Sequence, residues 1–289
     1  MKYEFEKLHG AGNDFVMIED MQDKITLSQQ QIARICDRHF GVGADGVIIV
    51  KPSEKDECAA YMDYYNSDGT KAQMCGNGIR CFAKFLIDHG IVERENGVFI
   101  ADTPVGPKPI TFELDDEGYF IRATVDMGLP IFEPEKIPTT ISGQQTEFGC
   151  VASTTVLPAY GDELILTCVS MGNPHAVAFV DNPNTYPVET VGPEIETYSV
   201  FPEFTNVEFA HVVGDVIEMR VWERGCGETL ACGTGACATA VAAHITGRAG
   251  RKVQVKLRGG VLDIEWKADD GHVYLTGPAV TSFQGRFEI

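Results

Sequence analysis

The sequence predicts an α/β (α+β) protein built of two similar, pseudo-symmetric halves, and two observations carry that expectation. Short β-branched runs recur along the 289 residues, bounded by turn signals and broken by only a few helix-like stretches. The chain also repeats itself. MCGNGIRCF (74–82) and ACGTGACAT (231–239) each place Cys-Gly-x-Gly before a helix-like run. With Cys75 set on Cys232, MDYYNSDG (62–69) falls on MRVWERGC (219–226). Both copies read as an alternating strand, an aromatic residue (Tyr65 or Trp222), a polar residue (Asn66 or Glu223), a turn, and the cysteine nine residues on. GNDFVMIED (12–20) likewise echoes GNPHAVAFVD (172–181), with Asn13 and Asn173 at nearly matching offsets. A duplication accounts for this most simply. Its pseudo-twofold sets the two Cys-Gly-x-Gly turns face to face across a cleft, where the active site is expected.

Ser28 is an N-cap for a helix over about 28–38 that turns Ile32, Ile35 and Cys36 inward. VIIV (47–50) reads as a strand and SDG (67–69) as a turn. After Cys75, the residues Ile79, Phe82, Phe85 and Leu86 recur at helical spacing, and that helix ends near Gly90. DDEG (115–118) is a turn, and the GLP turn at 128–130 puts the boundary between halves near 122–130. LILTCV (164–169), AVAFV (176–180), VIEMRVW (216–222) and KVQVKL (252–257) read as strands, with turns at NPN (182–184) and RGG (258–260). The run after Cys232, ending near Gly247, is almost entirely Ala, Cys, Thr, Gly and Val. So little polar face predicts a helix buried on all sides.

Composition narrows the function. Hydrophobic residues are 44% and charged residues 22%, values of an ordinary globular protein. A net charge of −19 repels phosphate backbones and anionic lipid, which argues against nucleic-acid and membrane partners. MKYEFEKLHGAGNDF lacks a signal peptide's apolar core and no run approaches a membrane span, so the expected location is the cytoplasm. Nine cysteines, an odd number in such a chain, predict free thiols rather than a disulfide framework.

A Cys-Gly-x-Gly helix start has definite chemistry. Glycine allows a tight turn and close backbone approach, and the helix end offers unpaired N–H groups with positive potential. A substrate carboxylate can dock there, and an adjacent thiol is expected to have its pKa lowered. Two such ends gripping one carboxylate would place a sulfur on each side of its α-carbon. One thiolate then removes the α-proton and the opposite thiol protonates the other face, which inverts the centre.

At these residues the sequence resembles the diaminopimelate epimerases, a cofactor-independent group within the family that includes proline racemase. The resemblance spans the chain: HGAGNDF (9–15), GADG (43–46), NSDG (66–69), MCGNG (74–78), GNPH (172–175), WERGCGETLACGTGACA (222–238) and TGPA (276–279). It implies interconversion of LL- and meso-2,6-diaminopimelate on the route to lysine and peptidoglycan, with no cofactor and no metal. It implies that Cys75 is the proton donor and Cys232 the acceptor from LL to meso. Around them, the backbone of Gly76, Asn77, Gly233 and Thr234 would hold the reacting carboxylate. Asn13, Asn66, Asn173, Asn206, Glu223 and Arg224 match substrate-binding positions, and His175 and Glu223 match groups that assist the cysteines. Tyr274 matches a dimer-contact tyrosine, which implies a homodimer. The family's fold wraps a β-sheet or barrel around a central helix in each half and returns its last strand to the first. The implied domains are therefore 1–124 plus 277–289, carrying Cys75, and 125–276, carrying Cys232. Two positions depart from the family. Gly46 stands where some members carry a substrate-contacting glutamine, so it contacts substrate through its backbone or not at all. Cys226 stands where valine is expected.

Simpler readings compete. Cys36, Cys58, Cys150 and Cys168 read as small core hydrophobes, as do Cys81 and Cys237 on the helices past the turns. Each asparagine could cap a turn, His175 could be a loop or core histidine, and Arg224 a solvated charge. Placed between Glu223 and a glycine turn, Arg224 is also suited to clamp a carboxylate through two bonds. A thiol–disulfide enzyme would use Cys-x-x-Cys, which is absent. A zinc module from Cys226, Cys232, Cys237 and His175 lacks a second knuckle. A proline racemase-like activity is the runner-up within the class. Glu223, Arg224 and the asparagines favour a substrate with a second zwitterionic end, which proline lacks.

Overall fold

The β-branched runs become strands and the glycine-flanked cysteines become helix starts. The computed structural model describes residues 2–161 and 163–289, and the chain divides into two units: Met1–Asp126 with Thr276–Ile289, and Met127–Leu275.

In the first unit β1 (Lys2–Gly10) and β2 (Asn13–Glu19) form a hairpin closed by Ala11 and Gly12, whose φ values of 55° and 88° suit a two-residue turn of left-handed residues. The pairing Gly10↔Asn13 leaves Asn13 at the start of β2. Next come α1 (Gln29–Cys36), β3 (Gly46–Lys51), β4 (Tyr61–Asn66) and α2 (Gly76–Asp88). The Ser28 side chain caps α1 at Gln31 N while Gln31 returns a bond to Ser28 N, and Ile32, Ile35 and Cys36 are buried. An antiparallel run follows: β5 (Val98–Ala101), β6 (Lys108–Leu114) and β7 (Phe120–Asp126).

The second unit holds β8 (Gly143–Thr146), β9 (Gly149–Val156), β10 (Leu164–Ser170), β11 (Pro174–Phe179), α3 (Val188–Glu196), β12 (Asn206–Val213), β13 (Val216–Glu223), β14 (Gly227–Thr229) and α4 (Gly233–Ile245). It continues through β15 (Lys252–Leu257), β16 (Gly260–Trp266) and β17 (Val273–Gly277), along which the chain re-enters the first unit. There β18 (Val280–Glu288) pairs antiparallel with β1.

The duplication is visible in the pairing. The strand orders β18-β1-β2-β3-β4 and β9-β10-β11-β12-β13 correspond, and within each order a single junction is parallel, β2 with β3 and β11 with β12. A helix, α1 or α3, lies in that parallel connection, and a 13-residue helix, α2 or α4, follows the last strand of each order. In α4 the buried residues run continuously from Gly235 to Ala243, as its small-residue composition predicts.

α3 is not legible in the sequence, because Gly192 and Pro193 sit inside it and Pro187 precedes it. Tertiary packing overrides those breakers: a Cβ on Gly192 would lie 2.6 Å from Trp222. The cysteine expectations also need correcting at two places. Cys36, Cys81, Cys168 and Cys237 are buried, but Cys58 and Cys150 are only half-buried, Cys58 in a loop and Cys150 at the start of β9. Among the described residues no helix is long and apolar enough to cross a membrane.

Candidate active site

The first thiol is placed by the exit from β4. Asn66 closes a turn, with its N–H on the Thr70 carbonyl at 2.9 Å and its amide on the Thr70 hydroxyl at 3.1 Å. The chain then reaches Cys75 in extended conformation, φ −140°, and Cys75 is the N-cap of α2. Its Sγ accepts from Gly78 N at 3.5 Å and faces Asn13 Oδ1 at 3.5 Å. Asn77 Nδ2 donates to the same Asn13 oxygen at 3.3 Å. The Asn13 amide is oriented from behind: its Nδ2 donates to Asp45 Oδ2 at 2.7 Å, and a carboxylate can only accept. Asp45 in turn holds Arg38 at 2.8 Å and the Asp14 N–H at 3.0 Å. Arg38 grips Asp14 with two bonds of 3.0 and 2.9 Å, and Lys7, which also donates to the Gly43 carbonyl, lies 2.8 Å from Asp14. Burial raises the Asp14 pKa, but the bonds and charges of Arg38 and Lys7 outweigh it and hold the carboxyl at about 2. Beneath the helix start, the wholly buried Arg80 donates to Gly76 O at 2.7 Å, Asn77 Oδ1 at 3.0 Å and Pro278 O at 3.2 Å.

The second thiol repeats this geometry. Cys232, φ −123°, is the N-cap of α4, with Sγ accepting from Gly235 N at 3.4 Å and lying 3.5 Å from the Thr234 hydroxyl. β14 folds back on β13 with Glu223 opposite Gly227, and this puts the Thr229 hydroxyl on Glu223 Oε1. The Glu223 carboxyl also hydrogen-bonds the Cys232 thiol, and burial, outweighing those bonds, pushes its pKa up. Behind it His175 and Glu208, neither exposed, meet through Nδ1 and Oε1 at 2.6 Å, and His175 Nε2 lies 3.1 Å from Asn173 Oδ1.

The expected lowering of the thiol pKa fails at Cys232. Burial, then the charges of Glu223 and Glu208, push it well above the ordinary thiol range. The helix-end bond from Gly235 acts in the expected direction but is outweighed, because removing a thiolate from water costs more than one backbone N–H returns.

The residues singled out in the sequence fall into two neighbourhoods, one per unit. In the first, Asn13, Cys75, Gly76 and Asn77 are together, and Gly46 pairs with Asn66 across β3 and β4. A Cβ on Gly46 would lie 2.6 Å from Tyr65 O and 2.8 Å from the Tyr64 ring, so the backbone here leaves no room for glutamine. In the second, Asn173, His175, Glu223, Cys232, Gly233 and Thr234 gather with Asn206 and Arg224. Asn206 is occupied by main chain: it donates to Pro174 O at 2.7 Å and accepts from Arg224 N at 2.9 Å. The exposed Arg224 side chain donates to Glu203 O at 3.1 Å. Tyr274 lies apart on β17, with its hydroxyl on Asp270 at 2.9 Å. Cys226 is exposed in the turn after Glu223, whereas Cys237 is buried in α4. Among the described residues no group of three or more His, Cys, Asp or Glu is placed to hold a metal ion.

Asp14, Arg38 and Asp45, which orient Asn13, and also Arg80 and Glu208, do not stand out as site residues in the sequence. Asp14 and Asp45 lie inside motifs already quoted, HGAGNDF and GADG. Glu208 carried a fainter signal, a carboxylate inside the otherwise apolar run VEFA.

Solved structures share this fold. A phenazine biosynthesis protein of the PhzF family from Bacillus anthracis matches with a TM-score of 0.71 at 18% identity, covering 100% of both chains. A hydroxyproline epimerase from Agrobacterium vitis matches with a TM-score of 0.68 at 15% identity, covering 99% of this chain and 92% of that one. The likeness to these structures is one of fold. Sequence is more specific. A profile of the diaminopimelate epimerases matches residues 5–133 and 167–282. The diaminopimelate epimerase of Moorella thermoacetica is 46% identical over 290 residues, 99% of each chain, and that of Leptospira biflexa is 43% identical over 290 residues, 100% of each. The chain belongs to the diaminopimelate epimerase family.

Proposed function

We propose that this protein interconverts LL- and meso-2,6-diaminopimelate by two-base proton transfer between Cys75 and Cys232. The observation that carries the reading is the duplicated cap. Each thiol ends a strand-and-turn segment of matching pattern, starts a buried 13-residue helix, and accepts from the third helical amide. Each helix end therefore offers backbone N–H groups, at Gly76–Asn77 and Gly233–Thr234, for the carboxylate of one substrate.

From LL to meso, the Cys232 thiol first passes its proton to the Glu223 carboxylate that hydrogen-bonds it. The Cys232 thiolate then takes the α-proton, the substrate carboxylate shares the electron pair left on carbon, and Cys75 delivers its S–H proton to the opposite face. Cys75 ends as thiolate, and the reverse direction exchanges the roles. Asn13, held by Asp45, keeps its oxygen on the Cys75 thiol. Asn66, Asn173, Glu223 and Arg224 bind the substrate, Gly46 through its backbone, and Asn206 holds the main chain of Arg224 in register. Both proton transfers come from side chains of the protein, so turnover needs no pyridoxal phosphate and no metal. The enzyme works in the cytoplasm on lysine and peptidoglycan precursors, as a homodimer that Tyr274 helps to join.

The test is turnover of LL-diaminopimelate beside L-proline in heavy water. The diamino acid is inverted, proline is not, and the meso product carries deuterium at the inverted carbon while early recovered LL-substrate carries little. Cys75→Ala and Cys232→Ala each lower inversion by at least about 10²- to 10⁴-fold. Product that keeps its original hydrogen, together with one active alanine variant, refutes the two-base reading.

A further inference from the structure

Glu208 is a wholly buried carboxylate that the reaction above leaves unused. The parallel register of β11 and β12 sets His175 opposite Asn206, so Glu208, two residues on, shares the His175 side of the sheet. Its Oε1 meets His175 Nδ1 at 2.6 Å, and among the described residues its Oε2 has no hydrogen-bond partner. The same carboxylate closes on the first turn of α4, where a Cβ on Gly235 would lie 2.6 Å from Oε1. An uncompensated carboxylate is costly to bury. Two features compensate this one: the hydrogen bond to the imidazole, and the positive end of α4.

An ionised carboxylate only accepts, so the proton of that short bond belongs to His175 Nδ1. We propose that Glu208 is a positioning residue for the acid/base chemistry, holding the His175 ring in place with its proton on Nδ1, so that Nε2, on the Asn173 side, is the nitrogen that exchanges protons with the site. This rests on the reading that His175 assists the cysteines and that Cys232 takes the α-proton. The other titratable groups around the pair are Glu223 on β13, which feels the charge of His175, Cys232 at the start of α4, and Cys168 on β10, which feels Glu208. None of them is hydrogen-bonded to either ring nitrogen; Nε2 faces the Asn173 amide, which can turn either its oxygen or its NH2 to the ring, so among the described residues the acceptor-only Glu208 is the partner that fixes the tautomer.

The experiment reads the tautomer without substrate, so it stands whatever the outcome of the turnover assay. Long-range 1H–15N correlation spectra of the full chain, with ¹⁵N-labelled histidine, are recorded between about pH 6 and 9, and His175→Asn assigns the signal. In the unsubstituted protein Nδ1 is protonated throughout, and a neutral ring protonated at Nε2 alone overturns the proposal. Glu208→Leu moves the ring toward the Nε2–H form and lowers kcat about 10- to 100-fold with KM within about twofold, the scale of losing a histidine's orienting partner. Glu208→Gln, which keeps an acceptor oxygen, retains the Nδ1–H form and recovers most of the rate. An unshifted tautomer or an unchanged kcat in Glu208→Leu refutes the role. If that variant does not fold, the unsubstituted protein and Glu208→Gln decide it alone.

Discussion

Asp14→Asn tests the charge network behind Asn13. The Asp14 carboxyl is raised by burial, but bonds and charges from Arg38 and Lys7 hold it at about 2, against 3.8 for an ordinary aspartate. A depression of nearly two units corresponds to about 2 kcal/mol of stability. The sign follows from the direction. A carboxyl with its native pKa below its unfolded value contributes fully above the unfolded value, and the contribution is lost as pH falls through the native one. At pH 7 the variant is therefore about 2 to 3 kcal/mol less stable, the upper figure because the nearly buried Lys7 loses its carboxylate. That lowers the melting midpoint by about 4 to 8 °C. The gap shrinks to about half at pH 3 and nearly closes at pH 2. Thermal and urea unfolding of both proteins, followed by circular dichroism at pH 7, 3 and 2, measures this. Equal midpoints at pH 7, or a gap that does not narrow on acidification, would show that Asp14 is not held by these charges.

Two further outcomes follow from burial. With Ellman's reagent at pH 8, the exposed Cys226 reacts in the fast phase, while Cys36, Cys81 and Cys168, pushed up to about 12, have a thiolate fraction near 10⁻⁴ and react only on unfolding; Cys226→Ser removes that phase and leaves turnover unchanged, and a fast phase that survives contradicts the assignment. Gly46→Gln, which forces a Cβ to 2.6 Å from Tyr65 O, costs about 1 to 3 kcal/mol of stability in a urea titration, and an unchanged midpoint would mean that β3 and β4 yield there at little cost.

Much of the site was legible because it is written in local backbone chemistry. A cysteine followed by Gly-x-Gly is an N-cap and helix start wherever it falls, and both copies form one. Ala11 and Gly12 close the first hairpin, and a helix of small residues had to be buried, as α4 is. Duplication was readable from spacing alone, and the matching parallel junctions bear it out. Other features were not local. α3 forms through its packing on Trp222, against Gly192 and Pro193 in its own sequence. Asn13 faces the Cys75 thiol because Asp45, 32 positions away, takes the other end of its amide. Glu208 meets His175 from 33 positions away, through strand register.

The sequence by itself determined which two sulfurs stand at helix ends, because turn and capping preferences act over a few residues. Only the tertiary structure decided how those groups are charged and aimed. The Cys232 pKa is set by burial and by the carboxylates of Glu223 and Glu208, and their summed effect runs against the local helix end. Electrostatic energy depends on distance through space and on the water removed, and neither quantity is written along the chain.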